Sequence, residues 1–307
     1  MCWRFGKGDF RQKNTNTEMQ LVENREQIHA VTESWRRQGL KIALVPTMGN
    51  LHRGHLALVE AARREADRVV TSIYVNPAQF GAGEDFASYP RTLEADSLAL
   101  EQAGCDLLFV PGQSTMYPSG LDHAVRLLAS RDLAGVLEGK SRPGHFDGVV
   151  TVVARLFNLV GPDVAVFGEK DYQQLLVIQR MVTDLGYAIR IIAVPTVREP
   201  SGLAMSSRNN YLDNAERESA GRLNAVLLDA ASQVRSGCEN CLLVEQAATA
   251  RLKDLGFQVD YVAVRRAEDL LTPGSRDSDL RVLAAVWSGP TRLIDNVPVI
   301  RVGISGH

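Results

Sequence analysis

Short apolar runs alternate with amphipathic stretches through residues 41–194. Residues 42–45 and 69–75 are apolar and contain β-branched side chains, which predicts buried strands, and residues 56–66 between them have the apolar spacing of a helix. The alternation continues as helix 91–103, strand 107–110, helix 149–160, strand 163–167, helix 171–185 and strand 189–194. Strands that alternate with helices in this way predict an α/β fold, a doubly wound parallel sheet covered by helices on both faces.

The pattern changes after Pro195. A polar loop at 196–210 precedes helical stretches at 215–236 and 242–255 and strand-like runs at 259–264, 281–288 and 291–300. Clustered helices followed by clustered strands predict a smaller α+β domain. We therefore expect a polar extension at residues 1–18, a Rossmann-like nucleotide-binding and catalytic domain at 19–196, and a smaller α+β C-terminal domain, acting as a lid, at 197–307.

Composition and charge narrow the classes of function. The 307 residues are 45% hydrophobic and 23% charged, which is ordinary for a globular protein with a substantial core. Lys and Arg number 34 against 36 Asp and Glu, so the formal net charge is −2. The chain therefore lacks the basic excess that is typical of nucleic-acid-binding proteins.

Hydropathy and cysteine usage bear on where the protein acts. No apolar run reaches the ~18–20 residues of a membrane helix, and the N-terminal segment has no apolar core of a secretory signal. The four cysteines are too sparse for a disulfide framework. These features predict a protein of the reducing cytoplasm without a membrane partner.

The strongest chemical signal is the segment PTMGNLHRGH, residues 46–55, between the first core strand and the next helix. Gly49 and Gly54 allow a tight turn close to a ligand, and a helix N-terminus favours phosphate. His52 and His55 are three residues apart, so on a helical turn they face the same way and can donate hydrogen bonds to a leaving pyrophosphate. A capping turn with surface histidines is the alternative, and a zinc site would need a third ligand that the neighbouring sequence lacks.

A second signal, FGEKDYQQ at residues 167–174, also lies where a strand passes into a helix. Lys170 supplies a mobile positive charge for phosphate, and Asp171 suits the N-cap of the helix. Gln174 falls one turn after Lys170, so both can face one cleft. Taken alone, the segment is also typical of an ordinary charged helix cap.

Two further segments carry polar groups suited to substrates. The segment GLAMSSRN, residues 202–209, brings two hydroxyls and the guanidinium of Arg208, which can close over a triphosphate; a polar interdomain linker is the alternative. Gln79, in NPAQF after the second core strand, offers a donor and acceptors to a small polar substrate. A turn with an incidental glutamine has the same pattern.

Two other patterns are weaker. AGVLEGKS, residues 134–141, is similar to a phosphate-binding P-loop but does not follow a core strand, and Pro143 blocks an immediate continuation as a helix. Cys238 and Cys241 form a lone CxxC with no second pair and no flanking histidine. Neither pattern supports a phosphate, metal or redox site.

Together the motifs resemble the pantothenate synthetase (pantoate–β-alanine ligase) family over nearly the whole chain from about Glu18. HxGH alone marks a broad nucleotidyltransferase-like superfamily that includes class I aminoacyl-tRNA synthetases. The ordered combination with NPAQF, FGEKDYQQ and MSSRN is far more specific. Other stretches that carry the resemblance are SIYVNPAQFGAGEDFASYPRT, GKSRPGHFDGVVTVVARLFNLVGPDVAVFGEKDYQQL, PTVREPSGLAMSSRNNYL and TRLIDN.

The resemblance implies ATP-dependent condensation of pantoate with β-alanine through a pantoyl adenylate, with release of AMP and pyrophosphate and with Mg²⁺ as cofactor. The implied catalytic residues are His52, His55 as proton donor, Lys170 and Arg208. The implied ATP-binding residues are Met48, Gly49, Asn50, Leu51, His52, Arg53, Gly54, His55, Gly168, Glu169, Lys170, Asp171, Val197, Met205, Ser206, Ser207 and Arg208. By the same resemblance, Gln79 is expected at the pantoate and β-alanine position and Gln174 at pantoate. Asp96 is expected to help place magnesium, and a homodimer is the habit of the family.

Two other functions stay open on the sequence. One is another HxGH-type adenylyltransferase, which would form a stable adenylylated product and need no amine. The other is a non-catalytic nucleotide-binding module, against which the intact set of catalytic residues argues. The departures from the family pattern are small: Ser201 stands where members often have Asp, and Arg53 lies at a variable position.

Overall fold

The computed structural model describes residues 18–81, 83–237 and 240–301. The polar extension predicted for residues 1–18 lies outside this range except for Glu18, and so does Cys238. The strands are β1 (Gln20–Val22), β2 (Ile42–Thr47), β3 (Arg68–Ile73), β4 (Leu107–Phe109), β5 (Val164–Gly168), β6 (Arg190–Val194), β7 (Gln258–Arg266), β8 (Asp279–Ser288) and β9 (Thr291–Ile300).

The predicted helices are present in the predicted order, together with helices that the alternation did not predict. The helices are α1 (Arg25–Arg37), α2 (Arg53–Glu65), α3 (Leu93–Gln102), α4 (Gln113–Met116), α5 (Arg131–Ala134), α6 (Leu137–Ser141), α7 (His145–Val160), α8 (Tyr172–Asp184), α9 (Asn214–Ala220), α10 (Arg222–Arg235) and α11 (Cys241–Asp254). Among those that were not predicted are α1, α4 and α6. Short 3₁₀ turns cover Pro77–Gln79, Glu169–Asp171 and Ser207–Tyr211. No helix within the described ranges is both long enough and apolar enough to cross a bilayer.

The first six strands form one sheet in the order β1-β4-β3-β2-β5-β6, and every pair in it is parallel. Along β2, Ile42 and Leu44 enter a core with α1, α7 and α8, while Ala43 and Val45 enter a second core with α2 and α3. Both faces are buried, as the continuous apolar strands require. The predicted doubly wound parallel sheet is confirmed.

The strand order reverses between β2 and β5, which are hydrogen-bonded neighbours. In an open parallel sheet, the crevice at such a switch point lies beyond the carboxyl ends of the strands and is the usual place for a ligand. Both phosphate-binding candidates, the segments 46–55 and 167–174, follow these two strands directly. The topology therefore brings together two motifs that are more than 100 residues apart in the chain.

The second sheet is antiparallel, in the order β7-β8-β9, and α9, α10 and α11 pack with it around a separate core. The predicted smaller α+β unit is confirmed, and the predicted division at residue 196 falls in the loop after β6. One predicted helix, 215–236, is divided at Gly221. A Cβ at this residue would lie 2.3 Å from the Ser201 carbonyl oxygen, so the polar loop packs directly on the backbone there.

The N-terminal part of the sheet was not predicted. Strand β1 has only three residues, and α1 begins with a capping box between Asn24 and Gln27 that lies before the region of clear alternation. The P-loop-like segment 134–141 forms parts of the short helices α5 and α6 rather than a strand-to-helix loop, as expected.

Helix α7 positions the turn that carries Gln79. Its Gly148 faces this turn so closely that a Cβ would lie 2.3 Å from the Ala78 carbonyl oxygen and 2.7 Å from the Gln79 Cα. The side-chain amide of Asn76 donates to the Gly148 carbonyl at 3.1 Å, which ties the turn to the helix. Glycine is therefore required here by close approach, although alanine is the better helix former.

We expect Gly148→Ala to lower the free energy of unfolding by about 1–3 kcal/mol, because the added methyl group overpacks a rigid contact between backbones. Urea denaturation measures the change. Gly112→Ala is the matched control, since its Cβ would meet only the Ser114 hydroxyl at 4.0 Å. Equal stability of the two variants would contradict the close contact.

Candidate active site

Two cavities meet at the carboxyl ends of β2 and β5. One, of about 240 Å³, lies over the sheet, and the other, of about 760 Å³, lies between the sheet domain and the smaller domain. Described residues that line both are Arg142, His145, Lys170, Asp171, Gln174, Ser206 and Arg208. The two spaces form one cleft whose shared wall is rich in positive charge.

The Asp96 carboxylate binds the backbone of the turn after β2, at Asn50 and Leu51. Its two oxygens accept the backbone N–H groups of Asn50 at 2.9 Å and Leu51 at 2.8 Å, and the Thr92 hydroxyl donates to it at 3.1 Å. Asn50 has φ of 50° and Gly49 has φ of 82°, so both are in the left-handed region. The carboxylate stabilises this unusual backbone by accepting the two N–H groups that the turn aims at it.

These contacts give Asp96 a structural role that the expectation of a magnesium-placing residue did not include. Asp96 is only 3% exposed, and its oxygens are engaged by the backbone of the turn. Among the described residues, no three His, Cys, Asp or Glu side chains come together as a metal site. The structure gives Asp96 the role of shaping the turn that carries the histidines.

The backbone selects the tautomer of both histidines. The Gly54 N–H donates to His52 Nδ1 at 3.1 Å, and the His52 N–H donates to His55 Nδ1 at 3.3 Å. A backbone N–H can only donate, so each Nδ1 is the acceptor and each Nε2 carries the hydrogen. Both neutral rings line the smaller cavity, where they can supply N–H donors.

The sequence suggested that both histidines lie on one helical turn, and the structure differs from this expectation. His52 is the N-cap of α2 and has extended backbone, while His55 is the third residue of the helix. Their rings nevertheless stack, with centroids 4.0 Å apart. Gly54 permits this arrangement, because a Cβ there would lie 2.9 Å from two atoms of the His52 ring.

Burial keeps both rings uncharged. It lowers the pKa of His52 to about 4, with a further contribution from the positive charge of Lys170. Burial also lowers the pKa of His55 well below its ordinary value, helped by His52 and Lys170. At neutral pH the positive charge of the smaller cavity therefore resides on Lys170, Arg142 and Arg208, and the histidines act as hydrogen-bond donors.

The turn Glu169–Asp171 presents Lys170 and Asp171 to the cleft. The Lys170 ammonium lies 3.7 Å from an oxygen of Asp171, and both residues line the two cavities. Asp171 occupies the N-cap position of α8, as predicted, but its side chain makes no capping hydrogen bond. The predicted cap is wrong in this respect, since the Asp171 carboxylate is turned to the cleft.

The polar loop after β6 is connected to the histidine turn by hydrogen bonds to Asn50, including one from the Asn210 amide to the Asn50 side-chain oxygen. The Ser207 hydroxyl donates to the Asn50 carbonyl at 3.0 Å, and the Asn50 amide donates to the Ser207 carbonyl at 3.3 Å. Within the loop, the Met205 N–H donates to the Val197 carbonyl at 2.9 Å. The loop therefore forms one wall of the cleft.

Arg208 reaches the cleft but is bound by a partner that sequence reasoning did not identify. Its guanidinium donates to both carboxylate oxygens of Asp85, at 2.9 and 3.2 Å. Burial raises the pKa of Asp85, but the hydrogen bonds and charge of Arg208 lower it by more. The net pKa is below its ordinary value, so the pair is ionised. This ion pair joins the segment after Gln79 to the loop that carries Arg208.

Gln79 lines the smaller cavity, as Lys170 does. Its amide oxygen accepts from Asn76 at 3.1 Å, and its amide nitrogen contacts only the sulfur of Met48, at 3.4 Å, among the contacts of the described residues. A thioether is a weak acceptor, so the donor end of Gln79 can turn to a substrate oxygen. Gln174 lines both cavities.

Arg142 and His145 also line the cleft, and sequence reasoning missed them as site residues. His145 Nδ1 lies 2.8 Å from the Gln79 carbonyl oxygen and Arg142 donates to that oxygen at 3.4 Å, while Arg142 forms an ion pair with Glu84. Burial lowers the pKa of His145 to about 4, and the charge of Arg142 contributes. The string GKSRPGHF held the signal, a basic residue and a histidine three positions apart before a helix.

Most of the expected site residues converge on the smaller cavity. Those that line it are Met48, His52, Gly54, His55, Gln79, Gly168, Lys170, Asp171, Gln174, Val197, Met205, Ser206, Ser207 and Arg208. Those that do not are Gly49, Asn50, Leu51, Arg53, Glu169 and Asp96. Arg53 is exposed, and Glu169 instead forms an ion pair with Arg281.

Comparison with known proteins points to one family. A family model described as Pantoate-beta-alanine ligase matches residues 20–298. The chain is 54% identical over 281 residues to a protein named pantothenate synthetase in Thioalkalivibrio sulfidiphilus (strain HL-EbGR7), covering 92% of this chain and 98% of that protein. A pantothenate synthetase of Xanthomonas axonopodis pv. citri (strain 306) is also 54% identical, over 271 residues, covering 88% of this chain and 96% of that protein.

Solved structures give the same result. The crystal structure of pantothenate synthetase from Thermus thermophilus aligns with a TM-score of 0.84 at 46% identity, covering 91% of this chain and 99% of that one. The pantoate–β-alanine ligase of Francisella tularensis, complexed with beta-gamma ATP and beta-alanine, aligns with a TM-score of 0.77 at 35% identity, covering 91% and 97%. The similarity extends over both domains.

We expect Asp96→Asn to lower the free energy of unfolding by about 1–3 kcal/mol in metal-free buffer, since an amide offers one acceptor where the turn needs two. Urea denaturation with a chelator, repeated in millimolar Mg²⁺, measures this loss. Glu94→Gln, at an exposed position of the same helix, is the control. Unchanged stability with chelator, together with a deficit that appears only in Mg²⁺, would favour a metal ligand over a backbone anchor.

The low pKa of His52 also predicts a pH dependence of stability. Between pH 6.5 and about 4 the unfolded chain binds a proton that the folded chain does not, so the free energy of unfolding falls as the pH falls. We expect His52→Asn, which keeps a capping acceptor, to reduce this slope by up to about 1.4 kcal/mol per pH unit. Urea denaturation across this range measures it, with the exposed His123→Asn as control; identical slopes in His52→Asn and the wild type would contradict a buried neutral ring.

Proposed function

The chain belongs to the pantoate–β-alanine ligase family, and from this premise we propose that its cleft activates pantoate with ATP and transfers the pantoyl group to β-alanine. One observation carries the proposal. His52 and His55 from the end of β2 and Lys170 from the end of β5 line one cavity. Two N–H donors and an ammonium in one place suit the phosphates of a nucleotide.

The first step makes the pantoate carboxylate reactive. A carboxylate oxygen attacks the α-phosphorus of ATP, the bond from that phosphorus to the bridging oxygen breaks, and pyrophosphate leaves with the electron pair. The Nε2–H groups of His52 and His55 donate to phosphoryl oxygens as charge develops, and Lys170 offsets that charge. Because the rings are already neutral and fixed by the backbone, they need little reorganisation during this step.

The second step uses the acyl adenylate. The β-alanine amine attacks the acyl carbon, the carbon–oxygen bond to AMP breaks, and the amine loses a proton as the amide forms. Gln79 and Gln174 are proposed to hold the two organic substrates by their amide groups. Arg142, beside Gln79, is a cation in reach of a substrate carboxylate. The complex of the Francisella tularensis ligase with beta-alanine supports β-alanine as a substrate of this chain.

Arg208 is proposed to bind phosphate oxygens from the opposite wall. In the structure its guanidinium is satisfied by Asp85, so a phosphate must share or replace that partner. Such an exchange replaces one charge-assisted pair with another and therefore costs little. The loop that carries Arg208 would close on the nucleotide and exclude water from the adenylate.

Magnesium is proposed to accompany ATP. Mg²⁺ is commonly held by one or two carboxylates together with substrate phosphates, and Asp171 is the carboxylate among the described residues that line the smaller cavity. Asp171 beside Lys170 therefore fits such an ion better than Asp96 does. When bound, the ion would neutralise phosphate charge.

A homodimer and a cytoplasmic location are the remaining proposals. The family resemblance supports the homodimer. The buried thiol of Cys105, which is in no disulfide, and the small number of cysteines support a reducing compartment.

We expect pantoate-dependent exchange of labelled pyrophosphate into ATP in the absence of β-alanine, and release of AMP when β-alanine is added. His55→Ala should lower the exchange rate by on the order of 100-fold, since one preorganised donor is lost. His123→Ala, at an exposed position, is the control.

Other outcomes separate the alternatives. Exchange that requires a nucleotide acceptor and gives a stable adenylylated product would show a different adenylyltransferase. ATP binding without exchange would show a non-catalytic nucleotide-binding module. Either result would reject the ligase reaction proposed for this cleft.

A further inference from the structure

Strand β9 of the smaller domain places the amide of Asn296 against the turn that carries Lys170. The Asn296 side-chain nitrogen donates to the carbonyl oxygens of Glu169 and Lys170, both at 2.9 Å. Asn296 is only 4% exposed, so water cannot readily replace these bonds. The smaller domain thus contacts the backbone of a proposed phosphate-binding residue directly.

The orientation of this amide is settled by its partners. The Asn296 side-chain oxygen accepts from the Arg281 guanidinium at 2.7 Å, and a guanidinium can only donate. The two carbonyl oxygens can only accept, so the amide nitrogen must face them. Reversing the amide would place its oxygen against the two carbonyl oxygens and its NH₂ group against the guanidinium of Arg281.

Arg281 braces the same turn from the side. Its guanidinium donates to a Glu169 carboxylate oxygen at 3.2 Å and lies 3.7 Å from the centroid of the Tyr172 ring. Arg281 and Asn296 lie on the neighbouring strands β8 and β9. Two adjacent strands of the smaller domain therefore hold Glu169 and Lys170 of the turn and the Tyr172 ring that follows it.

The turn needs such support, because its own side chains do not cap it. The turn begins after Gly168, which has no side chain to cap it, and Asp171 makes no side-chain capping hydrogen bond at the start of α8. Asp295, next to Asn296, accepts the Asn296 backbone N–H at 2.7 Å and forms an ion pair with Arg198 of the polar loop. Consecutive residues of β9 thus reach two of the three chain segments that are proposed to bind ATP.

We propose that Asn296 is a positioning residue for the adenylation step: by binding the Glu169 and Lys170 carbonyl groups it sets the direction of the Lys170 ammonium toward the phosphates. The inference rests on the proposed role of Lys170 in this site. It makes docking of the smaller domain a condition for a correctly placed lysine. A displacement of about 1 Å at a catalytic group can cost on the order of 100-fold in rate.

The test replaces the donor without changing the shape. Asn296→Asp keeps an acceptor for Arg281 but presents an oxygen to the two carbonyl groups, so the turn is repelled. We expect kcat for pantoate-dependent pyrophosphate exchange to fall on the order of 10- to 100-fold. Asn296→Ser, which retains one donor, should lie between it and the wild type. The isosteric control is Asn214→Asp at an exposed position of α9.

A second background separates positioning from general structure. In a Lys170→Met protein, Asn296→Asp should change the remaining exchange rate by less than about twofold, because the group that Asn296 positions is gone. An equal loss in both backgrounds would overturn the inference and show a structural role. Urea denaturation of each protein confirms that the rates compare folded enzymes, and Asn296→Ser serves if Asn296→Asp does not fold.

Failure of the proposed function has a different signature. If Lys170→Met alone leaves exchange unchanged, Lys170 does not bind the ATP phosphates. The role proposed for Lys170 is then rejected, and the positioning role of Asn296 with it. If Lys170→Met lowers exchange and Asn296→Asp does not, the function stands and the positioning role is rejected.

Discussion

Parallel pairing of β2 with β5 is the constraint on which the site depends. These neighbouring strands end at the same edge of the sheet, so the histidine turn and the lysine turn must open into one crevice. The buried carboxylate of Asp96 then holds the first turn in a left-handed conformation that few residues adopt. Site geometry thus follows from strand order first and from one buried carboxylate second.

The electrostatics of the cleft divide the work between neutral and charged groups. Burial makes His52 and His55 neutral donors of fixed tautomer, while Lys170 and the arginines of the smaller cavity carry the positive charge. A neutral donor keeps its hydrogen near a phosphate without adding to repulsion among the cations. Such an arrangement suits a reaction in which positioning and stabilisation of charge matter more than covalent help from the enzyme.

The smaller domain contributes hydrogen bonds and ion pairs to the site as well as enclosing it. Residues of β9 bind the lysine turn through Asn296 and the polar loop through Asp295. On the other side of the cleft, Arg292 of the same strand forms ion pairs with Glu138 and Asp260. The two domains therefore share polar contacts at the mouth of the site as well as a cavity between them.

The alternation of strands and helices, the α+β unit after residue 196 and most of the motif residues that line the smaller cavity were predictable from the sequence, because apolar periodicity and turn residues are local signals. Tertiary structure alone decided that Asp96 serves the backbone, that Asp85 engages Arg208, and that Arg142, His145 and Asn296 belong to the site. These partners are 45 to 127 residues from the groups they contact. Such pairings depend on strand order and domain docking, which leave no periodic trace in the chain.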